Sequence, residues 1–141
     1  AVTLAGRQDD AGLRSLYSQA WVAAYPSSYE PFGIVALEAM AAGAPCVVGD
    51  GTGLAEIVRD GNTGLTVPPE SPHALAQAIR MIIRNSDWAA DLASNARERA
   101  LYDYRWEDIA EDTLSVYAEV TSVKPSLRAA VSHVRGARQM L

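Results

Sequence analysis

Phe32-Gly33-Ile34-Val35-Ala36-Leu37-Glu38-Ala39-Met40-Ala41-Ala42-Gly43-Ala44-Pro45-Cys46-Val47-Val48 reads as a helix, a stop and a strand. The apolar run from Phe32 to Ala42 has the length of a helix, Gly43-Ala44-Pro45 ends it, and Cys46-Val47-Val48 follows as a short β-prone stretch. The helix is apolar almost all round, which predicts burial on both sides. Glu38 is its only charged residue. A carboxylate there must reach solvent at one edge, contact a ligand, or shift toward its neutral form, because an unpaired buried charge is very costly.

Upstream, Val2 to Ala5 is β-prone and closed by Gly6, and Trp21-Val22-Ala23-Ala24-Tyr25 is a second strand closed by Pro26. Between them Asp10 to Gln19 places Leu13, Leu16 and Tyr17 at helical spacing. Downstream come a short helix near Leu54 to Val58, turn chemistry at Asp60-Gly61-Asn62-Thr63-Gly64, and a strand at Leu65-Thr66-Val67. From residue 71 only helices are expected. Ser71-Pro72 is a helix start, with Leu75, Ala78, Ile79, Ile82 and Ile83 on one stripe, and further helices span Asp87 to Ala100 and begin at Trp106. Four strands alternating with helices predict an α/β fold, a Rossmann-like parallel sheet with helices on both faces.

The 141 residues amount to one domain, 49% apolar and 21% charged, with no apolar run long enough to span a membrane. The net charge of −5 argues against a broad nucleic-acid interface. Residues 1–120 carry all 17 acids and eight of the twelve basic residues, a net of −9, while the last 21 residues carry +4. The lone Cys46 excludes an internal disulfide and favours a reducing, cytoplasmic setting. The chain opens on Ala1-Val2-Thr3-Leu4-Ala5, without methionine or a signal-peptide layout, and is expected to be part of something longer.

In such a sheet ligands settle beyond the carboxyl ends of the strands, which singles out the loops 6–10, 26–33 and 49–53. Glu30 lies just before the central helix, and Gly33 lets a ligand approach the backbone where free N–H groups and the positive helix end favour an anion. Two carboxylates beside an anion site suit a diphosphate whose attached sugars donate hydroxyl hydrogen bonds.

Pro26-Ser27-Ser28-Tyr29-Glu30-Pro31-Phe32-Gly33, continued through Glu38-Ala39-Met40 to Pro45, resembles the signature of retaining nucleotide-sugar glycosyltransferases of the GT-B fold, family four. Its hallmark is a pair of glutamates separated by seven residues, here Glu30 and Glu38. The likeness continues through Leu54-Ala55-Glu56, the 60–65 turn, Val67-Pro68-Pro69 and the Trp106 region, about residues 2 to 120. The resemblance implies the donor-binding half of a hexosyltransferase that moves a sugar from a nucleoside diphosphate sugar with retained configuration. Glu30 would then be the catalytic-site glutamate beside the donor hexose, with the amides of Phe32, Gly33 and Ile34. Glu38 would hold the ribose hydroxyls, Val35 would pack near the nucleotide, and Arg7 and Gln8 would meet the nucleobase. No metal or other cofactor is implied. Residues 1–120 would form the donor domain, incomplete at its N-terminal side because the family's basic pair and acceptor domain lie upstream, so this chain alone is expected to be inactive. Trp21 stands where the family commonly has aspartate, and Thr52-Gly53 and Ala55 depart from its usual glycine pair and proline. The other readings are a non-catalytic nucleotide-sugar-binding module and another GT-B enzyme, such as an epimerase.

Gly49, Gly51 and Gly53 fit no phosphate-loop spacing and read as a flexible turn or a ligand contact. His73 and His133 read as solvated helix positions, Cys46 as an inert core thiol, and Trp88 and Trp106 as core. The tail, residues 121–141, spaces Leu127, Val131, Val134, Ala137 and Leu141 along one face of a basic helix. It is read as docking on the protein, as a loose tail, or as contacting the inner membrane face through 124–141.

Overall fold

The computed structural model describes residues 2–121. The tail assignments at 121–141, and His133, therefore lie outside the described residues, apart from Thr121 as the last helical position. The chain divides into one compact unit ending at Asp103 and a second beginning at Tyr104.

In the first unit α1 (Asp10–Gln19) leads into β1 (Ala23–Tyr25), α2 (Ile34–Ala41), β2 (Cys46–Gly49), α3 (Gly53–Ile57) and β3 (Leu65–Val67). The helices α4 (Pro72–Arg84) and α5 (Ser86–Tyr102) complete it. The three strands are parallel in the order β1-β2-β3, with Ala23 opposite Cys46 and Val47 opposite Leu65. All four residues of β2 are buried, and since successive side chains point to opposite faces, both faces of the central strand are covered. Val47, Leu65 and Val67 pack with Ala78 and Ile82 of α4 and Leu92 of α5, while α2 packs against β1 and β2.

Local chemistry explains the helix boundaries. Asp9 accepts from the Gly12 amide at 2.8 Å to start α1, and Ser71 accepts from Ala74 to start α4 with Pro72 at its first position. At the 60–64 turn, the Asp60 carboxylate accepts from the Thr66 amide and the Thr63 hydroxyl from the Arg59 amide, each at 2.8 Å. The second unit holds α6 (Trp106–Thr121).

Three expectations are corrected. Val2 to Ala5 forms no strand: Val2 and Leu4 are more than 90% exposed and nothing pairs with them, so the sheet has three strands among the described residues. A β-prone tetrapeptide becomes a strand only where a neighbour supplies the ladder. The helix α2 buries one side only, through Ala36, Ala39 and Met40, whereas Ile34, Val35 and Glu38 are exposed. Trp88 does pack against the core, but Trp106 is 75% exposed.

Candidate functional site

Parallel strands send their outgoing loops to one edge, so the 26–33 loop after β1 and the 50–52 loop after β2 leave the sheet together. They are bound backbone to backbone, the Gly53 amide donating to the Glu30 carbonyl at 2.8 Å. A Cβ at Gly53 would overlap Pro31 and come within 2.8 Å of the Phe32 Cα, and one at Gly49 would overlap the Ser27 carbonyl. The Thr52 hydroxyl donates to the Gly49 carbonyl at 2.9 Å, and the Asp50 amide to the Val67 carbonyl at 2.8 Å. Of the three glycines read as a flexible turn or a ligand contact, Gly49 and Gly53 are packing positions against the 26–33 loop that carries the half-buried Glu30, whereas Gly51 has open space around it.

Gly33 caps α2 at φ 100° and ψ 49°, a left-handed conformation that suits glycine, and a side chain there would run into Leu54. No side chain caps this helix. Its first amides have no carbonyl one turn earlier to bond, and Ile34 and Val35 are 56% and 39% exposed. The Ala36 amide already turns back to the Gly33 carbonyl at 3.0 Å. The result is a solvent-facing, positively polarised helix start at the carboxyl edge of the sheet, beside Phe32 and next to Glu30 in the chain.

Glu38 sits one turn further on, exposed, and lines an open hollow of about 770 Å³ between α1, α2 and α5. Asp10, Leu13, Arg14 and Tyr17 contribute from α1, Ala41 and the capping Ala42 from the end of α2, and Arg97 from α5. Glu30, Phe32, Gly33, Ile34 and Val35 do not line it. Glu30 thus belongs to the loop junction and Glu38 to the wall of this hollow. Arg7 and Gln8, placed in sequence near a nucleobase, are exposed just before α1 and do not line the hollow, which begins with Asp10 at the start of α1. The Gln8 side-chain amide is spent on the Ala5 carbonyl at 2.5 Å.

Beside the hollow, Tyr25 donates from its hydroxyl to the Val35 carbonyl at 3.1 Å. Burial, reinforced by the neighbouring Tyr17 phenol, raises the Tyr25 pKa well above the ordinary phenol value. Neither tyrosine was singled out from sequence for a polar role, since Tyr17 read as part of an apolar stripe and Tyr25 as strand. Cys46 is fully buried, its thiol within 3.5 Å of the Ala44 carbonyl, and burial pushes its pKa up to about 12. His73 is exposed and shares a hydrogen bond with Gln77 at 2.9 Å. Among the described residues no helix is long and apolar enough to cross a membrane, and no three His, Cys, Asp or Glu side chains are grouped to hold a metal ion.

The family profile described as glycosyl transferases group 1 matches residues 1–99. An uncharacterised glycosyltransferase of Methanocaldococcus jannaschii is 41% identical over 105 residues, 74% of this chain and 27% of the relative. A glycogen synthase of Mycobacterium tuberculosis is 40% identical over 117 residues, 83% of this chain and 28% of the relative. Among solved structures, sucrose-phosphate synthase from Thermosynechococcus elongatus superposes with a TM-score of 0.80 at 41% identity, covering 87% of this chain and 31% of that one. The Anabaena HepE protein in complex with UDP and glucose gives 0.73 at 28% identity, covering 86% of this chain and 32% of that one. The chain thus spans about a third or less of the length of these relatives. With the profile covering most of its length and a Rossmann-like parallel sheet beneath the match, the chain belongs to the glycosyl transferases group 1 family.

Proposed function

We propose that this chain is the donor-binding part of a glycosyltransferase that moves a sugar from a nucleoside diphosphate sugar to an acceptor with retention of configuration. The observation that carries the reading is the start of α2: a left-handed glycine cap, no side-chain cap, and exposure at the sheet edge. The diphosphate would be met there by the amides around Gly33, Ile34 and Val35, with Phe32 alongside. Glu30, in the loop pinned by Gly53, would stand beside the donor sugar, and Glu38, on the wall of the hollow, would accept from ribose hydroxyls. Arg7 and Gln8 remain candidates for the outer edge of the nucleobase site. Catalysis would rest on positioning and on stabilising the departing diphosphate rather than on a bound metal, and would need an acceptor domain as partner. The structures similar in fold include a protein solved with UDP-glucose, which supports a nucleotide-sugar ligand.

Titrating the chain with UDP, GDP and ADP tests the reading. Weak binding of at least one is expected, and Glu38→Gln should weaken it by about tenfold or more, the scale of a charged hydrogen-bond pair. A folded sample that binds none of the three at millimolar concentration would overturn it. Retention is tested separately on the complete protein, where NMR of the product must show the donor's anomeric configuration; an inverted product would overturn that part.

A further inference from the structure

Two consecutive residues at the start of α3 meet the 26–33 loop at different points. The Gly53 amide holds the Glu30 carbonyl at 2.8 Å, and Leu54 packs against Gly33. A Cβ at Gly33 would overlap the Leu54 Cδ2, fall 3.0 Å from its Cγ and 3.6 Å from its Cα. Leucine thus fills the side of Gly33 where a side chain would project. Leu54 is fully buried, and its helix is fixed at both ends. The Thr52 hydroxyl donates to the Gly49 carbonyl at 2.9 Å, and Arg99 donates to the Glu56 and Ile57 carbonyls. Gly33 has a φ of 100° and no side-chain cap, and a glycine left to itself ranges over both signs of φ. The packing of Leu54 narrows that range. Because the peptide plane is rigid, the direction of the Ile34 amide follows from the two Gly33 dihedral angles.

We infer that Leu54 is a positioning residue for the donor's diphosphate: its side chain holds Gly33 in the left-handed conformation and so aims the first amides of α2 at the phosphates. The inference rests on the donor-site reading above. Hydrogen bonds to a charged oxygen are strong and weaken steeply when the donor points away, so slack at Gly33 costs the phosphates more than the rest of the nucleotide.

The test takes the tightest binder among UDP, GDP and ADP and titrates it and the corresponding monophosphate into the whole chain. The proteins are wild type, Leu54→Ala, Leu54→Met, Gly33→Ala and the double variant Gly33→Ala/Leu54→Ala, with thermal unfolding as the check on folding. Wild type should favour the diphosphate by about tenfold or more, the scale of a charged hydrogen bond. Leu54→Ala should reduce that preference by about fivefold, and Leu54→Met, of similar volume, should restore it. In the double variant the methyl added at position 33 enters the space vacated at position 54. It should bind the diphosphate about fivefold or more better than the two separate losses multiplied together. Losses that simply multiply, or a folded Leu54→Ala that weakens both nucleotides alike, overturn the inference while leaving the donor site standing. So does a wild type that binds both nucleotides equally. If Leu54→Ala or the double variant does not fold, Leu54→Val, which removes less, decides by the same ratio. Failure of wild type to bind any diphosphate overturns the donor-site reading and the inference with it.

Discussion

Gly33 meets two constraints at one position, a φ of 100° and a Cβ direction blocked by Leu54. Gly33→Ala should therefore cost about 1–3 kcal/mol in urea unfolding and weaken diphosphate binding together, since the strain falls on the helix start that would hold the phosphates. Unchanged stability and binding in Gly33→Ala would contradict this strain, and a loss of stability with binding intact would separate the helix start from the phosphate site. Cys46 is legible in a different way, as a pH effect. Its pKa is raised from an ordinary 9.0 to about 12, so the folded state keeps a proton that the unfolded chain releases. The stability from this group is complete below pH 9 and is lost as pH rises from 9 to 12, with a slope of up to about 1.4 kcal/mol per pH unit. Tyr25, also raised, adds a loss of the same sign starting near pH 10. Denaturation curves at pH 8 to 10 should show Cys46→Ala flattening this first decline; an equally steep fall in the variant would refute the assignment.

At the scale of elements, α3 is only five residues long and depends on its neighbour α5. The Arg99 guanidinium donates to the Ile57 carbonyl at 2.9 Å and the Glu56 carbonyl at 3.2 Å, and pairs with Asp103 at 2.8 Å. It satisfies carbonyls that a helix end leaves open. Arg99→Met should cost about 2 kcal/mol in denaturant unfolding and, because α3 carries Gly53 and Leu54 against the 26–33 loop, should weaken nucleotide binding as well. A stability change below about 0.5 kcal/mol would show that α3 does not rely on this cap. The elements themselves were largely legible: α1, β2, β3 and the Ser71 start of α4 declare themselves through periodicity, β-prone runs and capping residues. Val2 to Ala5 misled because a strand is defined by its partner, not by its own residues. Trp106 and the outer side of α2 misled because an apolar residue does not say what covers it.

For the whole molecule, the site was legible as residue types and not as geometry. Glu30, Gly33 and Glu38 announce an acidic pair around a glycine-capped helix, yet only the fold separates them into a loop junction and a hollow. The Tyr17–Tyr25 pair is assembled from α1 and β1, and the roles of Gly49 and Gly53 depend on a loop twenty residues upstream. Contacts of that kind have no local signal. The account's central claim, that the start of α2 receives the diphosphate of a donor, is tested most directly by following the backbone amides by NMR while UDP is added. The amides of Gly33, Ile34 and Val35 should shift most, followed by residues of the Glu38 hollow. Binding that shifts other residues and leaves those three amides unmoved would contradict it.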